Sequence, residues 1–203
     1  MTRTKPAEQR RADLLAAGKA EFLDKGVAAT SLEDITNAAG VSKGLFYLYF
    51  KSKEDLVLAL QDQFSGQFAE RILAAAATEP EWDAKLDACV QVSSDYYRDM
   101  HDLHEVLFHH APHPASHDGE AGHGPVVEAI ERILAGGTAA GAFDVEDPQA
   151  TALLFFASLH ALDPGFHGAH HANPASPAEP GDLAMLRAAK ALFRRTAAAK
   201  RPG

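Results

Sequence analysis

Cysteine is almost missing from this sequence. Cys89 is the only one in 203 residues, so no disulfide can form within the chain. Its neighbours recur at helical, apolar spacing, which suits a small buried hydrophobe rather than a nucleophile in a basic, accessible setting. Long apolar runs are missing too. None approaches the ~20 residues that cross a bilayer, and the polar, basic opening "MTRTKPAEQRRADLL" has no apolar signal core. No membrane partner is expected, and the chain is expected in the cytoplasm. No alternating apolar–polar run would make a half-buried strand, and there is no internal repeat. Neither an HExxH pair nor a similar arrangement supplies a catalytic base, so the chain is not expected to be an enzyme and no cofactor is implied.

Positive charge is scarce and unevenly placed. The chain has 19 lysines and arginines against 28 aspartates and glutamates, net −9. Residues 1–55 carry nine cations against eight anions, whereas residues 56–203 carry ten against twenty. That shift marks a boundary near residue 55, and the helix start there divides the chain into domains 1–52 and 53–203. An acidic body repels polyanions, so a nucleic-acid site in the first domain must use a few placed cations rather than a basic field. The arm Arg3, Lys5, Arg10 and Arg11 adds to them.

What is present is helical periodicity almost throughout, which predicts an all-α protein. Leu14, Leu15, Gly18 and Phe22 form one stripe of a helix over about 7–25, closed by Gly26. Thr30 and Glu33 read as a capping box opening a short helix that Gly40 ends, with Leu32, Ile35 and Ala39 inward. Ser42 caps a third helix reaching about Tyr49, and Ser52 with Asp55 opens a long one to about Ala77. The segment 81–110 predicts one helix or two. Helices follow over 125–140, from Asp147-Pro148 to about 162, and over 182–198, while 109–124 and 163–182 read as loops.

Two short helices joined by a tight glycine-containing turn, after a supporting helix, are the parts of a helix-turn-helix. The run "GVSKGLFYLYFKSKEDL" (40–56) then makes physical sense. A short helix buries one face, and Phe46 with Phe50 is placed to point inward. Lys43, Gly44, Tyr47 and Leu48 face outward. Gly44 allows close approach to DNA, Tyr47 can donate to a phosphate, and Leu45 and Leu48 offer apolar contact to a thymine methyl group. Thr30, Ser42 and Lys53, at helix amino termini, are expected at phosphates. As a phosphate contact, Lys53 adds about one unit to the salt dependence of binding.

The stretch "LLAAGKAEFLDKGVAATSLEDITNAAGVSKGLFYLYFKSKEDLVLAL" (14–60) resembles the amino-terminal DNA-binding domain of TetR-family transcriptional regulators. It covers about a quarter of the chain. The resemblance implies base-reading or groove-lining positions at Lys43, Leu45, Leu48 and Tyr49, and phosphate-contacting positions at Thr30, Ser42, Tyr47 and Lys53. Leu48 departs from the pattern, since relatives often carry a polar residue or histidine there. The resemblance further implies a three-helix DNA-binding domain followed by a larger helical ligand-binding and dimerisation domain. Its expected partners are double-stranded DNA with a palindromic operator, a second copy of the chain, and a small-molecule inducer that releases a repressor. The apolar character of 148–162 and 182–198 independently suits a dimer.

For the inducer, Phe64, Phe68, Tyr96, Tyr97, Met100, His104, Phe108, Phe155, Phe156 and His160 combine aromatic bulk with a few polar tips, suiting a medium-sized, partly apolar molecule. Eleven histidines raise an alternative. His101 and His104 share a helix face, and His109, His110, His113, His117, His123, His160, His167, His170 and His171 complete two clusters, so a metal-responsive regulator or a metal-dependent enzyme can be imagined. Most of them stand in proline- and glycine-rich loops without cysteine partners, which favours solvated histidines and no metal site.

Overall fold

A computed structural model describes residues 6–109, 124–162 and 180–198. Among them every regular element is helical, and the only pairing of extended type is an isolated bridge between Phe143 and Ala198. The fold is all-α.

The opening helix α1 (Ala7–Lys25) begins after Pro6 and ends at Gly26, whose φ of 78° is open to glycine at little cost. Helix α2 (Leu32–Ala38) is capped by Ser31, one residue after the expected position. The Ser31 hydroxyl accepts from Asp34 N, and the Asp34 carboxylate accepts from Ser31 N. Thr30 cannot serve as that cap because its hydroxyl is turned inward, donating to the carbonyls of Gly26 (2.8 Å) and Glu21 (3.1 Å). Ser42 does cap α3 (Lys43–Phe46), accepting from Leu45 N. The α-helix is shorter than expected, because beyond Phe46 the chain tightens: Leu48 N and Tyr49 N bond to the carbonyls three residues back.

Helix α4 (Lys53–Thr78) starts with Ser52 accepting from Asp55 N at 3.2 Å. The return bond of the expected box goes instead from Lys51 N to the Asp55 carboxylate. The segment after it is broken: α5 (Trp82–Asp99) stops at Met100, α6 (His101–His104) follows, and Glu105–His109 winds as a π-turn. Helices α7 (Pro125–Ala139) and α8 (Pro148–Leu159) each begin on proline, and Asp147 caps α8 by accepting from Ala150 N. A 3₁₀ turn, His160–Leu162, and helix α9 (Pro180–Ala197) complete the order.

The chain forms two compact units. The first contains residues up to Phe64 and the segment from Asp102, and the second contains Ser65–His101 with α7, α8 and α9. In the first, Leu14, Phe22, Val27, Ile35, Phe46, Phe50, Leu56 and Leu60 form a core that Leu107 joins. In the second, α7 packs on α8 and α5 on α9. Buried Cys89, Val90, Tyr96 and Tyr97 supply the α5 side. Burial pushes the Cys89 thiol up to about 12, which makes it inert as a nucleophile. Among the described side chains of α9, Phe193 and Ala197 are buried, whereas Leu183 and Leu192 remain exposed. Polar bonds from α9 reach α5: Lys190 Nζ donates to Gln91 (2.9 Å), and Arg194 pairs with Asp87.

Two glycines in the last turn of α7 look wasteful, since glycine costs up to about 1 kcal/mol in a helix. Trp82 and Phe143, 6.1 Å apart edge to face, explain them. A Cβ at Gly136 would lie 2.8 Å from Trp82 Cη2, and one at Gly137 would lie 2.1 Å from Phe143 Cδ2. Gly137→Ala is therefore expected to destabilise by about 1–3 kcal/mol through overpacking. Gly66→Ala, in α4 with nothing within 4 Å of the added carbon, is expected to stabilise by about 0.5–1 kcal/mol. Thermal denaturation checks both, and a shift of the same sign for the two variants contradicts this packing.

Candidate nucleic-acid interface

The site is built by burying one side of a very short segment. Phe46 and Phe50 are 0% and 2% exposed, their rings 5.6 Å apart, in the core with Phe22, Ile35 and Leu56. Successive side chains on so tight a turn cannot share that side. Lys43, Gly44, Tyr47 and Leu48 are exposed, with Leu48 at 77% and Tyr47 at 57%. Leu45 and Tyr49 are half-buried, and Tyr49 packs on the edge of the core. The Tyr47 ring stands edge-on to Phe46 at 5.7 Å, which steadies an otherwise solvated side chain.

Several cations near this surface are already engaged. Lys43 forms an ion pair with Glu33, an exposed residue of α2. Lys25 donates to Glu21 (2.7 Å) and Asp34 (3.1 Å), joining the end of α1 to the start of α2. Ser42 is exposed, its hydroxyl capping α3. Two residues expected at phosphates are committed inside the protein. Thr30 is 1% exposed and bonded as described, and the Lys53 ammonium donates to the carbonyls of Val27 (2.7 Å) and Thr30 (2.8 Å). The sequence carried a signal for the latter: a cation in the first position of a helix opposes the helix dipole, so something must hold it.

Residues 14–60 match the family model for bacterial regulatory proteins, tetR family. Through this segment the chain is similar to the TetR family. The HTH-type transcriptional activator FasR of Mycolicibacterium smegmatis is 29% identical over 103 residues, which are 51% of this chain and 47% of that protein. The HTH-type transcriptional regulator TtgR of Pseudomonas putida is 38% identical over 77 residues, 38% of this chain and 36% of that one. The chain thus spans less than half the length of these two relatives. The fold likeness reaches further. The transcriptional regulator FadR from Bacillus subtilis, in complex with stearoyl-CoA, superposes with a TM-score of 0.69 over 91% of this chain and 98% of the other at 17% identity.

The TetR-family likeness directs attention to the aromatic residues named for a ligand, which fall into two groups. In the first unit, Phe64, His104 and Phe108 form a ring cluster, with His104 buried 5.7 Å from Phe64 and 5.0 Å from Phe108. In the second, Phe68 stacks on Tyr96 at 4.6 Å and meets Tyr97 edge-on, and Tyr97 stands 5.6 Å from His160. Phe156 contacts His160 edge-on, Phe155 stacks instead on Phe193, and Met100 is half-buried at the helix break. Among the described residues, no group of three or more His, Cys, Asp or Glu side chains could hold a metal ion. His110, His113, His117, His123, His167, His170 and His171, the side chain of His109, and the arm residues Arg3 and Lys5 lie outside the described residues.

The α2 cap gives a pH prediction. Hydrogen bonds from the Ser31 side chain and backbone, then from Lys25, hold the Asp34 carboxyl down to about 2. Its folded value lies below the unfolded one of about 3.9, so its contribution is complete above about pH 4 and is lost as pH falls toward 2. Melting wild type and Asp34→Asn across pH 6 to 2 is expected to show a wild-type advantage that shrinks with acid. An advantage independent of pH contradicts the assignment.

Proposed function

We propose that the protein is a DNA-binding transcriptional regulator, acting as a homodimeric repressor that a small, partly apolar ligand releases from a palindromic operator. The observation that carries this reading is the surface of Lys43, Gly44, Tyr47 and Leu48, held outward by burial of Phe46 and Phe50. An exposed leucine and tyrosine on a capped helical turn have a use against base edges and sugar–phosphate, where a thymine methyl meets Leu48 and a phosphate meets Tyr47. Ser42, Leu45 and Tyr49 complete the contact set. Residues 1–52 serve as the reading segment and 53–203 as the body that binds ligand and pairs the copies.

Dimerisation is supported by α8 and α9. Leu153, Leu154, Leu183 and Leu192 are exposed on them, and Leu162, Met185, Ala188, Ala189 and Leu192 line an apolar groove of about 520 Å³. Two reading segments then recognise half-sites one or more DNA turns apart, roughly 34 Å each. For the ligand, each aromatic group described above is a candidate within its own unit, and FadR, solved with stearoyl-CoA, supports a long-chain acyl compound as a first probe. Release follows only if the ligand prefers a state in which the reading segments no longer fit adjacent half-sites.

The test is selection of bound duplexes from a random DNA library by the purified protein at moderate salt. A two-fold symmetric site is the expected result, and no enrichment by a folded protein overturns the reading. On the selected site, Leu48→Ala is expected to relax base preference at one position in each half-site, at a loss of about 1–3 kcal/mol there. A uniform loss at all positions places Leu48 away from the bases. Stearoyl-CoA is then titrated against the complex, and failure to release DNA excludes that ligand class.

A further inference from the structure

Lys53 is the first residue of α4, where a positive charge is disfavoured by the helix dipole and the acidic Glu54 and Asp55 are the expected occupants of the turn. It is only half-exposed, and two of its three donors are directed to Val27 O and Thr30 O, at 2.7 and 2.8 Å. Both carbonyls belong to the turn that joins α1 to α2, and Val27 and Thr30 are themselves 2% and 1% exposed. The same turn depends on the left-handed Gly26 and on the Thr30 hydroxyl bonded to Glu21 O and Gly26 O. Ser31, the cap of α2, follows at once.

We infer that Lys53 is a positioning residue for DNA binding, a strut from the start of α4 to the α1–α2 turn that sets the placement of α2 and so of α3. This differs from a phosphate contact, the role that the family resemblance implies for this position. The inference rests on the DNA-binding reading, and the two make different measurable claims. A phosphate contact contributes through counterion release, so its loss lowers the slope of log K against log salt by about one unit. A strut contributes through two hydrogen bonds whose acceptors have little other access to water. Its loss weakens binding at every salt concentration and leaves the slope in place.

The variants Lys53→Met and Lys53→Gln are compared with wild type on the selected duplex. Methionine keeps the apolar stem without donors. Glutamine keeps neutral donors without the charge. For Lys53→Met, an affinity loss of about tenfold with an unaltered salt slope is expected, in line with losing charge-assisted hydrogen bonds. Lys53→Gln is expected to recover part of the affinity although it lacks the charge. Hydrogen exchange without DNA is expected to quicken at residues 27–34 in Lys53→Met, at a temperature where circular dichroism shows the variant folded. A slope reduced by about one in both variants, with exchange unchanged, overturns the strut and restores the phosphate contact. Unchanged affinity in Lys53→Met also overturns it. Should Lys53→Met be unfolded at the assay temperature, the affinity and slope of Lys53→Gln decide alone. Failure of wild type to bind any duplex removes the DNA-binding reading, whereas the exchange result still reports on the strut.

Discussion

Burial of Phe46 and Phe50 is the constraint on which the interface depends. The two aromatic rings lie four residues apart on a segment whose regular helix is only Lys43–Phe46, and both are essentially inaccessible. Fully burying such a side chain is worth about 1.5–3 kcal/mol, far more than exposing a neighbouring leucine loses. The core therefore decides the orientation, and Tyr47 and Leu48 project outward as a consequence. Gly44 on the same turn leaves the backbone uncovered. The apolar reading surface is the other side of a well-packed hydrophobic core.

A second layer of order comes from main-chain acceptors near α2. Carbonyls near the end of α1 and in the turn to α2 take side-chain donors from this unit. Glu21 O and Gly26 O take the Thr30 hydroxyl, and Val27 O and Thr30 O take the Lys53 ammonium. From another direction, Gln61 donates to Leu107 O at 2.7 Å, tying α4 to the π-turn after α6. Leu107 is fully buried in the same core as Phe46. The segment 102–109 is thereby part of the unit that holds the reading surface, though it lies far along the sequence. A displacement of this segment would disturb that core, which gives the proposed ligand response a physical route.

The helical elements were legible because their signals are local. Gly26, Ser42 and Asp147 stand where capping and turn chemistry place them, and Phe46 inward with Leu48 outward follows from periodicity alone. The cap falls at Ser31, one residue after Thr30, because TSLED offers two overlapping capping patterns, Thr30–Glu33 and Ser31–Asp34. The choice is made by carbonyls of α1 that local sequence does not display. The spacing over 81–110 allows one helix or two without locating the break at Met100, because apolar spacing continues through 103 and 107 while the chain changes from α to π winding. The aromatic candidates for a ligand were legible as residues but not as a set, since Phe155 turns to Phe193 and the others divide between the two units.

The charge pattern bears on how an acidic protein could read DNA through the proposed surface. Among the described cations of the first unit, Lys25 is held by Glu21 and Asp34, Lys43 by Glu33, and Lys53 by two carbonyls. Exposed ion pairs of this kind are worth about 0–1 kcal/mol, so Lys43 can exchange Glu33 for a phosphate at little cost. The exchange leaves the Glu33 carboxylate exposed beside a polyanion, which offsets part of the gain. On the proposed reading, affinity from counterion release is consequently limited and non-specific duplex is expected to be held weakly. Discrimination is then expected to fall to contacts whose strength does not depend on charge, the proposed apolar face of Leu48 and Leu45 against base edges. On the proposed reading, a net-negative protein whose Lys25, Lys43 and Lys53 are already engaged gains selectivity by giving up general affinity for DNA.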